Sequence, residues 1–566
     1  MAAAIEELVR EGMDRLAAVA EVPPGLAGRA YAAVPQRALG GQALDAWLVM
    51  PPAVTLAVGL WGVTARPYWG DEVDTLAAVS RSLPQLARLL GHVDAVHGLY
   101  YLLLWPVVRV AGTGEFTTRL PSVVAMAGAA LGVSVIGRRL RSRRAGLCAG
   151  LVFAAFPIVT QQAHDARPYA MVTGAAVLAS YLLVRAADDP RPARFAAYGL
   201  ALVLLGYLEL FGLLLIPAHA LTMAALRRQP GEAPARLARR WLVTAAAASA
   251  AVAPVAVWGW RQRGQIGWIG TPGWPDVTYL ACWLAAGSAA SAALIAALAI
   301  LGARHADPPV PAHPPRQVRP RRGAGWLGAR TRPPRASRPL TWLALPWLVL
   351  PPGALMAASQ FAPVYSFRYV IFCLPAVALL AGAGLAALGQ LLRAAALTLL
   401  VVLAVPAQLA LRIPGSGAGG GLHAAAQVLA AHERPGDAVI YPGPAIPPWY
   451  LAYPRSFRPL RSIGLAHPGA TIGHLYATSV PTAVLIRRER DITRIWVIET
   501  SPPWPDPAPY LAPGFRLIRA WQPRHDQIRL ALYQRAQQPT RQPSPRRRDP
   551  SALTISVRPA GRRQQQ

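Results

Sequence analysis

The sequence predicts a mainly α-helical, polytopic membrane protein of about eleven transmembrane helices, with a small α/β domain at its C-terminal end. Three observations predict it. Of the 566 residues, 54% are hydrophobic and only 15% are charged, where soluble chains carry about a quarter charged. The charge is missing from a series of stretches roughly 16–25 residues long, the length at which an α-helix crosses about 30 Å of hydrocarbon. Past residue 411 the pattern changes to a glycine-rich linker, one helical run and several short β-type runs.

The elements follow in order. Residues 1–45 open with MAAAIEELVREGMDRLAAVA, which carries charges throughout and has no apolar core. This reads as a surface amphipathic helix on the cytoplasmic side, and no cleavable signal peptide is expected. Residues 46–64 are the first span, and 65–118 form a long first loop. Further spans fall near 119–137, 145–161, 168–185, 194–208, 210–226, 241–260, 278–302, 340–358, 369–390 and 394–411. The membrane part is therefore 46–411. Residues 413–421, IPGSGAGGG, read as a linker. An α/β domain is expected over 420–535, with a helix at 422–433 and strands at 437–443, 493–500, 515–521 and 528–535. The tail 536–566 is rich in Gln, Pro and Arg and is expected to be disordered.

The net charge is +31, and every basic residue is arginine. With the abundance of Ala and Pro, this points to a high-GC bacterial genome. Such a charge can signal a nucleic-acid partner. That reading is rejected, because the arginines cluster in short runs between apolar stretches, as the positive-inside rule produces. The runs are 138–144, 227–240 and the Pro/Arg-rich 303–339, all expected in the cytoplasm. Loops 65–118, 161–168, 261–277 and 359–368 then face outward, with everything after 411. This topology requires 96–112, VHGLYYLLLWPVVRVAG, to lie in the interface as a juxtamembrane helix. Cys148, Cys282 and Cys373 sit in apolar stretches without pairing or metal spacing and read as packing residues.

Four features carry candidate chemistry. Asp71-Glu72, in WGDEVD, stand just beyond the first span. Adjacent acids at a membrane surface can supply a base and an orienting group, although such pairs also occur in ordinary hydrated loops. His92, Asp94 and His97 have a spacing that can bind a divalent metal; hydrogen bonding to substrate or a helix cap suits them better. Arg167 and Tyr169, in HDARPYA, stand at the outer end of a span, where arginine suits bidentate phosphate recognition. Arg368-Tyr369 stand at another outer edge. Snorkelling arginines and an aromatic belt are the plain alternative for both. On the expected topology all four features share one membrane face, which suits a lipid-phosphate substrate.

This succession resembles the GT-C membrane glycosyltransferases, specifically the glycosyltransferase 39-like group of protein O-mannosyltransferases and aminoarabinose transferases. The resemblance covers roughly residues 46–411. It rests on Asp71-Glu72, on Asp94 followed by HGLYYLLLW, on DARPYA, and on Arg368-Tyr369 before a late span. The family's two prolines after the first-loop histidine are absent. The resemblance implies the GT-C fold and a sugar donor carried on a polyprenyl phosphate, with mannose the expected sugar. It implies inverting transfer to a hydroxyl of a glycan, lipid or protein acceptor, on the outer face of a bacterial plasma membrane. Asp71 would be the general base, and Glu72 would orient the acceptor or an arginine. Arg167 and Arg368 would hold the phosphate, and Asp94, His97, Asp165, Tyr169 and Tyr369 would line the substrate site. No cofactor is expected, and the resemblance does not decide the need for a divalent metal. A flippase for a lipid-linked sugar, with Glu209 as its polar residue, and an assembly protein working through its C-terminal domain are the competing readings.

Overall fold

Proline and glycine decide where the apolar runs of this chain become helices and where they break. A computed structural model describes residues 46–226, 234–284, 287–305, 339–500, 506–522 and 528–536. The cytoplasmic N-terminal segment expected over 1–45, residues 227–233 and 306–338 of the two basic loops, and the tail beyond 536 lie outside the described residues.

Helix α1 (Ala46–Leu60) ends in a turn where Gly62 takes φ +74°. The first loop folds as α2 (Gly70–Val79), α3 (Leu83–His92) and α4 (Gly98–Ala111). Ser82 and Gln85 cap α3 reciprocally: Gln85 N–H donates to Ser82 Oγ, and Ser82 N–H donates to Gln85 Oε1. Helix α4 is the segment expected in the interface. It is 14 residues long, close to the 15 of α1.

The remaining apolar runs form α5 (Glu115–Leu140), α6 (Arg143–Ala155), α7 (Pro157–Ala163), α8 (Tyr169–Asp188), α9 (Pro192–Leu208) and α10 (Leu215–Leu226). They continue as α11 (Pro234–Arg261), α12 (Trp274–Leu284), α13 (Ala289–Arg304), α14 (Pro339–Ala358), α15 (Leu374–Ala387) and α16 (Gln390–Ala410). Among the described residues, six helical stretches are long and apolar enough to cross a membrane alone. Helices α6 and α7 make a seventh if counted as one span bent by 65°. The bend falls at Pro157, which has no N–H to continue the ladder. Other apolar helices, including α1, α9 and α13, are shorter. The expected span 278–302 is in fact two helices. Gly287, at φ +80°, breaks the run, and Ser288 Oγ then caps α13 by accepting from Ser291 N–H. Helices α13 and α15 meet backbone to backbone: a Cβ on Gly302 or Gly384 would collide with the main chain of the other helix. Small residues at such a crossing are how helices pack closely in lipid.

Beyond the bundle, α17 (Gly420–His432) precedes a five-stranded sheet of order β3-β1-β6-β8-β7. Strand β1 (Ala438–Ile440) pairs in parallel with β3 (Arg461–Ser462) and β6 (Arg494–Glu499). Strands β8 (Arg529–Arg535) and β7 (Phe515–Trp521) complete it antiparallel. A second sheet joins β2 (Ala445–Ile446), β5 (Ala477–Ser479) and β4 (Leu465–His467). The four expected strands and the expected helix are all present. The central strand β6 is buried along its whole length, which matches its unbroken apolar run IWVI.

One apolar cluster joins this domain to the first loop: Tyr68, Val73 and Leu76 pack with Leu422, Leu429, Trp449 and Trp496. The glycine-rich stretch 413–421, expected to be a linker, is largely exposed but is packed down at its end. Gly419 lies so close to the backbone of Pro67 and Tyr68 that a Cβ has no room. Leu76 is fully buried. Leu76→Ala is expected to cost about 2–5 kcal/mol. The check is a lowered unfolding temperature of the purified protein, with limited proteolysis cutting first between residues 411 and 420.

Candidate active site

The acidic pair begins a helix. Trp69 is extended, and α2 starts at Gly70, so Asp71 and Glu72 fall in its first turn, where carboxylates complement the helix dipole. Being adjacent on a helix, they point in different directions. Their environments differ accordingly.

Glu72 is fully buried. Its Oε1 accepts from Arg119 Nε at 2.8 Å and its Oε2 from Arg119 Nη2 at 2.7 Å, a bidentate pair with a 1% exposed guanidinium. Oε1 also accepts from Ala166 N–H at 2.9 Å, and Oε2 from Trp69 N–H at 3.4 Å. Arg119 in turn donates to the carbonyls of Val63 and Arg66, both at 2.8 Å. Glu72 thus ties together α2, the start of α5, the turn after α1 and the stretch before α8. Of the two roles expected for it, the geometry is that of holding an arginine.

Asp71 is half-exposed. Its Oδ2 pairs with Arg368 Nη1 at 2.9 Å, with side-chain exposures of 35% and 28%. Arg368 also lies over the Trp69 ring, 4.6 Å from its centroid. Arg167 is buried; its Nη1 donates to the Asp71 carbonyl at 3.4 Å and its Nη2 to His97 Nε2 at 3.0 Å. An arginine donating to Nε2 requires the neutral imidazole there. Burial first, and then Arg167, pull the His97 pKa down to about 4.

Asp94 adopts the left-handed conformation, φ 58°, ahead of the turn Ala95–His97. Its Oδ2 accepts from Tyr101 O–H at 2.8 Å. Asp165 accepts at Oδ1 from Trp69 Nε1 at 3.1 Å. Its burial, and then the neighbouring Glu72 carboxylate, push its pKa up to about 7. Tyr169 is buried on α8, and Tyr369 packs on Phe211 with ring centroids 5.1 Å apart. His92 departs from the group: its Nδ1 meets the Arg88 carbonyl at 2.8 Å, and its ring faces His474 of the C-terminal domain. The metal spacing His92–Asp94–His97 is therefore not a joint ligand set. Among the described residues no group of three or more His, Cys, Asp or Glu is placed to hold a metal.

Beside these groups lies a cavity of about 260 Å³, whose walls include Arg66, Trp69, Glu72, Arg119, Asp165 and Arg368. Asp71 borders it through Arg368. Three of these residues escaped the sequence reading. Arg66 and Arg119 look like ordinary interfacial arginines at span ends, and Trp69 like an aromatic-belt residue. The signal available for Arg119 was its place in the first turn and a half of a strongly apolar helix, where a charge needs a partner.

A family model described as dolichyl-phosphate-mannose-protein mannosyltransferase matches residues 99–258. Among solved structures, ArnT from Cupriavidus metallidurans bound to undecaprenyl phosphate is similar at a TM-score of 0.53 and 15% identity, over 87% of this chain and 98% of that one. The apo state of the same protein gives a TM-score of 0.52 at 15% identity, over 86% and 97%. The chain has the GT-C glycosyltransferase fold. No curated protein sequence matches it.

Two predictions follow from this geometry. Glu72→Gln leaves Arg119 buried beside a neutral partner and is expected to cost about 3–5 kcal/mol of stability. Asp71→Asn breaks a half-exposed pair and is expected to cost about 0–1 kcal/mol; thermal unfolding of the two variants in detergent checks the contrast. The second concerns Asp74, one turn on from the pair. Burial, and then Asp94, push its pKa up to about 7, while Tyr476 O–H contacts its Oδ2 at 3.4 Å. An acid whose pKa is higher in the folded chain binds its proton more tightly there. Folding stability from this group is therefore present below pH 4 and lost as pH rises to about 7. The unfolding temperature of Asp74→Asn is expected to equal the wild type at pH 4 and to exceed it increasingly up to pH 7.

Proposed function

We propose that this protein is an inverting glycosyltransferase that moves a sugar, mannose in the first instance, from a polyprenyl-phosphate donor to an acceptor hydroxyl at the outer face of a bacterial plasma membrane. The observation that carries the reading is the Asp71–Arg368 ion pair, set beside the cavity in a GT-C fold. A base and a phosphate-binding cation stand in contact, as a direct displacement at an anomeric carbon needs. The presence of undecaprenyl phosphate in the ArnT structure supports a polyprenyl-phosphate carrier.

In the proposed mechanism the donor phosphate competes with Asp71 for Arg368. Guanidinium groups bind phosphate bidentately, so donor arrival draws Arg368 away and frees the Asp71 carboxylate. The acceptor hydroxyl attacks C1 of the sugar as its proton passes to Asp71. The C1–O bond to phosphate breaks in the same step, and the leaving phosphate gains charge. Arg368, with Arg66 on the same cavity wall, stabilises that charge. One displacement inverts the anomeric centre, and no second carboxylate acts as nucleophile. Glu72 does no proton transfer; it keeps Arg119 and the start of α2 in place.

The test is transfer of labelled mannose from polyprenyl-phosphate-mannose to a native envelope extract, in membranes holding wild type or Asp71→Asn. The expected outcome is transfer by wild type and a loss of about 10²–10⁴-fold in the variant. Equal transfer by both would overturn Asp71 as base. Transfer by neither, with mannose and with other lipid-linked sugars, would overturn the enzyme reading.

A further inference from the structure

A second cavity, of about 490 Å³, lies between the first loop and the C-terminal domain. It shares no lining residue with the cavity beside Asp71 and Glu72. Ala77, Arg81 and Gln85, around the turn from α2 to α3, form one wall. Phe457, Leu460 and Leu465 of the C-terminal domain form much of the other. The volume lies in the range that encloses small organic ligands.

Arg81 makes this cavity more than a packing defect. It is only 5% exposed. Its Nη2 donates to the His474 carbonyl, while its Nη1 is buried without a hydrogen-bond partner. Among the described residues no carboxylate pairs with it, and the cavity wall contains two arginines, Arg81 and Arg458, and no acid. A buried guanidinium without a counter-charge is costly. The backbone nevertheless holds it firmly: the Arg81 carbonyl accepts from Trp105 Nε1 at 2.8 Å and from Arg109 Nη2 at 2.6 Å. A cation held against an apolar-walled space calls for an anion that also has an apolar body.

We propose that this cavity is a binding site for a small amphipathic anion, one phosphate or carboxylate on an apolar body, with Arg81 as its anchor and Phe457, Leu460 and Leu465 as its apolar seat. The ligand bridges the two parts of the protein at the far end of α2, roughly 15 Å along the helix direction from Asp71. The site stands on the cavity and on Arg81, independently of the glycosyl-transfer reading.

The experiment is photolabelling of the detergent-purified full chain with three probes: 4-benzoylphenyl phosphate, 4-benzoylbenzoate and the neutral 4-benzoylbenzyl alcohol. Peptide mass spectrometry locates the label, and no activity is read. The expected result is labelling of peptides within 77–85 and 439–477 by one or both anions, and roughly tenfold less by the alcohol or in Arg81→Gln. The anion that labels more strongly decides between phosphate and carboxylate. Ser462→Trp, which crowds the cavity from an exposed position, is expected to lose the label at an unchanged unfolding temperature. It decides the matter if Arg81→Gln does not fold. Equal labelling by the alcohol, label confined to other peptides, or undiminished labelling of the variants would overturn the proposal.

Discussion

Glu72 and Arg119 share two short hydrogen bonds in a place almost closed to solvent. A single ion there would be prohibitive, and the pair is tolerable because further hydrogen bonds surround it. Glu72 takes the N–H groups of Trp69 and Ala166, and Arg119 reaches the carbonyls of Val63 and Arg66. The network fixes the start of α2 against three other segments, and that start is where Asp71 is displayed. Asp71 can keep one face toward solvent because its neighbour is so completely tied down.

The division of labour between two adjacent acids follows from helix geometry. Successive residues are about 100° apart around a helix. One carboxylate therefore enters the protein while the other stays partly open to solvent. The buried one holds Arg119 with both of its oxygens. The other is paired with the partly exposed Arg368.

The C-terminal domain is part of the same construction. Tyr68, Val73 and Leu76 lie in its apolar cluster, and Tyr476 reaches Asp74. Within the glycine stretch before it, Gly419 runs against the Pro67–Tyr68 backbone, where a side chain does not fit, while Gly415 and Gly417 take positive φ. The composition of the stretch alone reads equally well as a flexible tether. The same holds for the cavity at Arg81, which exists only where the domain meets the turn from α2 to α3.

What the sequence determined by itself was whatever depends on local pattern. Apolar runs of membrane length marked the bundle, and alternation and β-branching marked the strands of the C-terminal domain. Short motifs marked Asp71, Arg167 and Arg368 as notable. Local pattern misjudged the run 278–302, where a Gly-Ser pair outweighs apolar continuity. Tertiary structure alone decided the partners. Asp71 meets Arg368 across 297 residues, and Glu72 meets Arg119 across 47. Hydrophobicity and propensity act over a few residues, so they specify helices; which charge neutralises which is set by where the finished helices cross. An arginine at a span end looks the same in sequence whether it snorkels to water or is sealed against a carboxylate, as Arg119 is here.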